Sequence, residues 1–157
     1  MRHKKIVKRI IDPDKKFNNR LVAKFINGIM SDGKKTIAQK QFYLACDIIA
    51  KKELDPVETF EKAIQLVSPK QEVKARRVGG ASYQIPIEVR GERKVSLAIR
   101  WLIDAANARP NKEFRSFAAK LAAELLDAVE NRGEAVKKKD TMQRAADANR
   151  AFSHFRF

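Results

Sequence analysis

The chain has one cysteine, Cys46, and two histidines, His3 and His154, among 157 residues. A single thiol rules out a disulfide within the chain and any zinc site built on several cysteines. Cys46 sits inside a helical pattern and reads as a small buried or half-buried thiol. The histidines lie near opposite ends, in segments with no sign of rigid positioning. That is poor ground for a general base, which must be held within hydrogen-bond reach of its proton. No metal-ligand cluster and no cofactor is expected. Gly33-Lys34-Lys35-Thr36 ends like a phosphate-binding P-loop, but no glycine stands at the required offset upstream and a helix precedes it, so it reads as a turn and a basic helix start. Asp12 with Asp14, and Arg100 with Asp104, read as a turn and a helical ion pair rather than catalytic acids. No catalytic residue, no enzyme and no small-molecule substrate are expected. Long apolar runs are missing as well: none approaches the ~18 residues of a membrane span, and MRHKKIVKRI lacks the apolar core and cleavage site of a leader. The expectation is a protein of a reducing compartment with no membrane partner.

Acidic residues are also scarce. Lys and Arg number 34 against 19 Asp and Glu, a formal net charge of +15, and the sequence pI is about 10.1. Such an imbalance is the footprint of a polyanion partner, and without membrane features nucleic acid is the stronger candidate. The cations are unevenly placed. Residues 1 to 20 hold eight Lys or Arg against two acids, 70 to 94 seven against three, and 132 to 157 seven against three. Residues 44 to 69 hold three against five. A uniform solubilising coat would not leave a neutral middle between three basic segments, so the pattern predicts binding faces formed from arm, hairpin and last helix.

The length suits one domain with a real core, and 44% hydrophobic residues support a globular fold. Residues 1 to 19 read as a basic arm. Helical periodicity then predicts six helices: Arg20 to about Asp32, with Leu21, Val22, Phe25, Ile26 and Ile29 inside; Lys34 to Lys52, with Ile37, Leu44, Ala45, Ile48 and Ile49 inside; and a third after Asp55-Pro56-Val57-Glu58, a start signal of capping acid, first-turn proline and glutamate. A fourth follows Gly91, its broad apolar arc marking it as central. A fifth is lined by Phe114, Phe117, Ala118, Leu121, Leu125 and Ala128, and a sixth runs from Glu134 to about Arg150 with a thin apolar stripe. Gln41 falls within the second helix's apolar stripe and needs a polar partner, a backbone group or a polar contact.

Only Gln71 to Val89, QEVKARRVGGASYQIPIEV, reads as sheet. Two β-prone runs, Val73 to Val78 and Ser82 to Val89, flank Gly79-Gly80 and predict a hairpin. A two-residue turn sets Ile85 opposite Lys74 and Ile87 opposite Glu72. A three-residue turn through Ala81 sets Val73 opposite Ile87 and Ala75 opposite Ile85, gathering Val73, Ala75, Tyr83, Ile85, Ile87 and Val89 on one face and Lys74, Arg76, Gln84 and Pro86 on the other. Apolar matching favours the longer turn. Pro86 cannot donate to a ladder, so the ribbon keeps a free edge. The fold class is mainly α: a six-helix domain over residues 1–157 with one protruding hairpin at 72–89, a basic arm at 1–19 and a C-terminal tail at 151–157.

The residues expected to contact nucleic acid are Arg2, His3, Lys4, Lys5, Lys8, Arg9 and Lys15 of the arm; Lys34 and Lys35; Lys74, Arg76 and Arg77 of the hairpin; Arg93 and Lys94; and Lys137, Lys138, Lys139 and Arg144 of the last helix. Lys and Arg there hold phosphate without reading sequence. Tyr83, Phe152, Phe155 and Phe157 are the available stacking groups, with Tyr83 more simply packed on the hairpin. The tail rings either dock on the domain or meet a partner. Trp101 reads as a half-buried anchor.

LVAKFINGIMSDGKKTIA (21–38), EVKARRVGGASYQIPIEV (72–89), AIRWLIDAA (98–106), LAAELLDAVENRGEAVKKK (121–139) and ANRAFSHFRF (148–157) together resemble the universal small-subunit ribosomal protein seven family, bacterial or organellar type, in order and spacing. Gln41 and Gly91 depart from its pattern. The resemblance implies a primary rRNA-binding protein of the small subunit, on cytoplasmic or organellar ribosomes, that binds the three-prime major domain and nucleates head assembly. It further implies that Val78, Gly79, Gly80, Ala81, Ser82 and Tyr83 of the tip, with His154, Phe155 and Arg156, lie near exit-site tRNA and mRNA, and that proteins of the ninth and eleventh families are neighbours. The competing class is an architectural DNA-binding protein using a β-arm. A six-helix pattern with no evident dimerisation surface, and several separated basic patches, suit a folded RNA better. An RNA-modifying enzyme lacks a positioned base.

Overall fold

The computed structural model of the chain describes residues 10–155. The expected contacts Arg2, His3, Lys4, Lys5, Lys8, Arg9 and Arg156, with Phe157, lie outside the described residues, as does the side chain of Val78.

The six helices are α1 (Arg20–Ile29), α2 (Lys35–Ala50), α3 (Pro56–Val67), α4 (Gly91–Ala108), α5 (Phe117–Val129) and α6 (Glu134–Ala148); strands β1 (Gln71–Val78) and β2 (Ala81–Glu88) stand between α3 and α4, and a 3-10 helix over Arg150–Phe155 follows α6. Side-chain caps fix several starts. Asn19 Oδ1 accepts from the Leu21 N–H at 2.7 Å, and Asp55 Oδ1 accepts from Val57 N–H at 2.8 Å with Pro56 in the first turn, as its start signal required. Ser116 Oγ caps α5 by accepting from Ala119 N–H at 3.2 Å. That cap starts α5 at Phe117, so Phe114, expected inside the helix, instead lies in the preceding turn with the Arg109 guanidinium 5.5 Å from its ring centre.

Phe25, Phe42 and Phe60 meet at the centre of one half of the core, with ring centres 5.0 to 5.6 Å apart in tilted and edge-on pairs. This trio corrects the expected face of α2. Ala38, Phe42, Ala45, Cys46 and Ile49 point inward, while Ile37 and Leu44 are 56% and 41% exposed. Burying the Phe42 ring against two others outweighs burying Ile37 and Leu44, and one helix cannot turn both stripes inward. The central role expected of α4 is shared. It packs on α1, α3, α5 and α6, whereas α5 packs on α2, α3, α4 and α6, where Ala118, Ala122 and Ala128 permit close approach. Gln41, the polar residue in an apolar stripe, accepts the Ala118 N–H at 3.3 Å and so reaches a backbone group at the start of α5.

The hairpin takes the shorter turn. Val78 pairs with Ala81, Lys74 with Ile85, Glu72 with Ile87 and Val73 with Pro86, so the register expected from apolar matching is wrong by one residue. Gly79 and Gly80 have φ of +59° and +89°, and two adjacent positive φ angles make the two-residue turn whose twist suits the strands. Local turn chemistry outweighs cross-strand apolar pairing. The expected division into an apolar and a cationic face is therefore lost. Glu72, Lys74 and Arg76 share a face with Tyr83, Ile85 and Ile87, while Val73, Ala75 and Arg77 share the other with Ser82, Gln84 and Pro86. Among the described residues no third strand joins the pair.

Candidate nucleic-acid interface

The segment before α1 is pinned by Asp14. Its carboxylate is 5% exposed and accepts the Lys16 and Phe17 N–H groups at 3.0 and 3.3 Å and the Tyr43 hydroxyl at 2.7 Å. Burial, together with that hydrogen bond, pushes the Tyr43 hydroxyl up to about 12. Asp14 thus forms the turn expected of it, and Lys16 lies over the Phe17 and Tyr43 rings. Lys15 is left exposed beside Lys35, the two lining a shallow cavity of about 380 Å³ with Ile11. Lys34 sits in the turn before α2, 3.7 Å from Asp32.

Ile11 also lines a second groove of about 400 Å³, with Lys24 of α1 and Arg100 and Asp104 of α4. Arg100 was expected to pair with Asp104. Instead Asp104 Oδ2 lies 3.5 Å from Lys138 of α6, because the packing of α6 on α4 brings a second cation to the same carboxylate. Lys24 and Arg100 are exposed cations in this groove that sequence reasoning did not single out as contacts. Their signal was exposure on α1 and α4 opposite the apolar arcs.

Lys138 in turn lines a groove of about 580 Å³ with Lys137, Thr141, Met142, Trp101 and Val73 of β1. The expected cations here differ in how they are held. Arg93 donates through Nε to both oxygens of Glu72, 2.9 and 2.7 Å away, and Glu72 is 5% exposed, so Arg93 fastens α4 to β1. Lys74 lies 3.8 Å from the same carboxylate. Lys139 is 3.4 Å from Asp140 with its side chain mostly covered, and Lys94 is half-buried. Lys137 bonds Glu134 at 2.5 Å, and that hydrogen bond holds the Glu134 carboxyl below the usual carboxylate range. Arg76, Arg77 and Arg144 are exposed.

The tail docks on the hairpin. Tyr83 has its ring centre 5.2 Å from Phe152 and 5.5 Å from Phe155, and Phe152 stacks on Phe155 at 6.4 Å. Tyr83, Phe155 and His154 are thereby brought together beside the tip residues. Trp101 is more buried than expected, 8% exposed.

Three grooves carry these cations, Lys15 and Lys35 in the first, Lys24 and Arg100 in the second, Lys137 and Lys138 in the third; Ile11 lines both of the first two, and the Asp104–Lys138 contact links the second to the third. Among the described residues no cluster suited to a metal ion occurs and no helix is long and apolar enough to cross a membrane. A helical body that gathers cations along one run of grooves and lifts two more on a ribbon is a polyanion-binding protein. Residues 1–150 match the family model of ribosomal protein S7p/S5e. The chain is 55% identical over 153 residues to small ribosomal subunit protein uS7 of Solidesulfovibrio magneticus, covering 97% of this chain and 96% of that one. It is 51% identical over 157 residues to the uS7 of Alcanivorax borkumensis, with 99% of each chain covered, and 51% identical over 158 residues to that of Desulfotalea psychrophila. The chain belongs to the ribosomal protein S7p/S5e family. It is a structural protein of the small ribosomal subunit that binds rRNA and ribosomal neighbours, and it is not an enzyme.

Proposed function

We propose that residues 1–157 act as one RNA-binding domain that binds the three-prime major domain of small-subunit rRNA and nucleates assembly of the head. The observation that supports this most directly is the run of adjoining grooves, which joins cations from the arm, α1, α4 and α6 into one surface. Lys15, Lys34, Lys35, Lys74, Arg76, Arg77, Lys137, Lys138 and Arg144 contact phosphate, as do Arg2, His3, Lys4, Lys5, Lys8 and Arg9 of the arm, with Lys24 and Arg100 added to the set. Arg93, Lys94 and Lys139 act beside them, Arg93 through the ion pair that seats β1.

The tip and tail have a second task in this reading. Val78, Gly79, Gly80, Ala81, Ser82 and Tyr83, with His154, Phe155 and Arg156, face exit-site tRNA and mRNA, and proteins of the ninth and eleventh families lie alongside. The packing of Phe155 on Tyr83 supports treating tip and tail as one unit.

The test compares two hairpin variants. Shortening Val78 to Ser82 should leave affinity for an isolated three-prime major domain fragment intact and raise frameshifting in reconstituted ribosomes. Reversing the charge of Lys74, Arg76 and Arg77 should weaken fragment binding. If the tip deletion abolishes fragment binding as completely as the charge reversals, the hairpin is a single rRNA anchor and the division of roles is wrong.

A further inference from the structure

The groove between β1 and α6 does not have the make-up of a surface that only tracks phosphate. Lys137 and Lys138 line it together with Glu134 and Thr141, but Trp101, Val73, Met142 and Ala145 give it an apolar part as well. Only 8% of Trp101 is exposed and Met142 is half-buried. The groove is open, and its volume of about 580 Å³ leaves room for one planar ring laid along it. A flat aromatic ring between two ammonium groups is the ligand whose chemistry matches both parts.

We propose that this groove receives one unpaired nucleobase of the bound RNA. The proposal rests on the RNA-binding reading above and specifies what occupies one part of that surface. The base lies against Trp101, with the Met142 thioether against its ring, a contact that sulfur makes favourably with π systems. The phosphates on either side of the extruded nucleotide fall to Lys137 and Lys138. Glu134, also at the groove, bonds Lys137 through one oxygen and keeps the other as an acceptor, so the groove prefers a base with an exocyclic amine to uracil. The base must come from a loop or bulge, because an A-form duplex does not present its bases to side chains.

Trp101 is the only tryptophan, so all tryptophan emission comes from this side chain, which lines the groove and adjoins the core. The full chain is titrated with the three-prime major domain fragment and, separately, with a fully paired RNA duplex of equal length. The fragment should quench Trp101 and shield it from acrylamide, and the duplex should do neither. Met142→Glu should abolish the quenching and weaken fragment binding about tenfold, while Met142→Leu retains both. Fragment binding with unchanged Trp101 emission and acrylamide access overturns the nucleobase and leaves the wider RNA interface standing. Shielding of Trp101 by another ribosomal protein, but not by RNA, overturns it equally and assigns the groove to a protein contact. Failure of the wild-type chain to bind the fragment at low salt overturns the RNA-binding reading itself.

Discussion

Glu124, fully buried in α5, accepts Nε and Nη2 of Arg109 at 2.9 and 2.6 Å through one oxygen and the Ala135 N–H at 3.0 Å through the other. Arg109 also bonds Asp127. One carboxylate thus ties the end of α4 to α5 and to the first turn of α6. Arg109→Met leaves that carboxylate buried without its countercharge and should lower unfolding free energy by about 3–5 kcal/mol. Gly133→Ala strikes the same clasp, since an added Cβ would sit 2.7 Å from Glu124 Oε1 at a φ of +94°. It should cost about 1–3 kcal/mol. Chemical denaturation checks both, and losses below half a kcal/mol would show the clasp to be dispensable.

Alkaline pH should weaken the fold through Cys46 and Tyr43. Burial pushes the Cys46 thiol up to about 12 from an ordinary 9.0, and Tyr43 is raised to about 12 from 10.0 by burial and by Asp14. The unfolded chain loses these protons first, so above pH 9 it holds fewer than the native state, and stability falls until about pH 12. Below pH 9 the two groups add no slope. Cys46→Ala should flatten the decline between about pH 9 and 11. A decline identical to that of the wild type would contradict the burial of the thiol.

Salt titration of RNA binding tests whether the run of grooves acts together. Each neutralised phosphate adds roughly 0.7 to 0.9 to the slope of log affinity against log salt. Cations from the α1–α2 side, α4, α6 and hairpin acting at once predict a steep slope. A slope of one or two, equivalent to about two phosphates, would confine binding to a single patch.

Tyr83→Ala removes the ring on which Phe152 and Phe155 pack. Chymotrypsin cleavage at those two phenylalanines should accelerate several-fold in the variant, with far-ultraviolet circular dichroism unchanged. Equal cleavage rates would mean that the tail is held without Tyr83.

The helices were legible because caps and breakers are local: Asp55-Pro56 and Ser116 announce starts that their own N–H groups need. Gln41 was legible for a related reason, since a polar residue in an apolar stripe must find a partner, and it does so at Ala118. The same reasoning applied to Glu124, three residues after Leu121 on the inner face of α5, would have found the clasp. The inner face of α2 was misread because Ile37 and Leu44 compete with Phe42, and only Phe25 and Phe60, from other helices, decide between them. The register turned on one residue, and the cross-strand match of Val73 and Ala75 to isoleucines carries less weight than the conformation of two glycines. Lys24 and Arg100 were legible singly, as cations opposite apolar arcs, but their sharing of one groove depends on the docking of α1 on α4, which no local pattern encodes.

Helix starts in this fold are also handed from one element to the next. Gln41 of α2 helps close the start of α5, and Glu124 of α5 closes the start of α6, whose own preceding residue, Gly133, offers no side chain. An isolated peptide of α6 therefore has no cap and a run of three lysines to hold apart. The helix that carries Lys137 and Lys138 thus borrows the closure of its first turn from a neighbour that lines none of the cationic grooves.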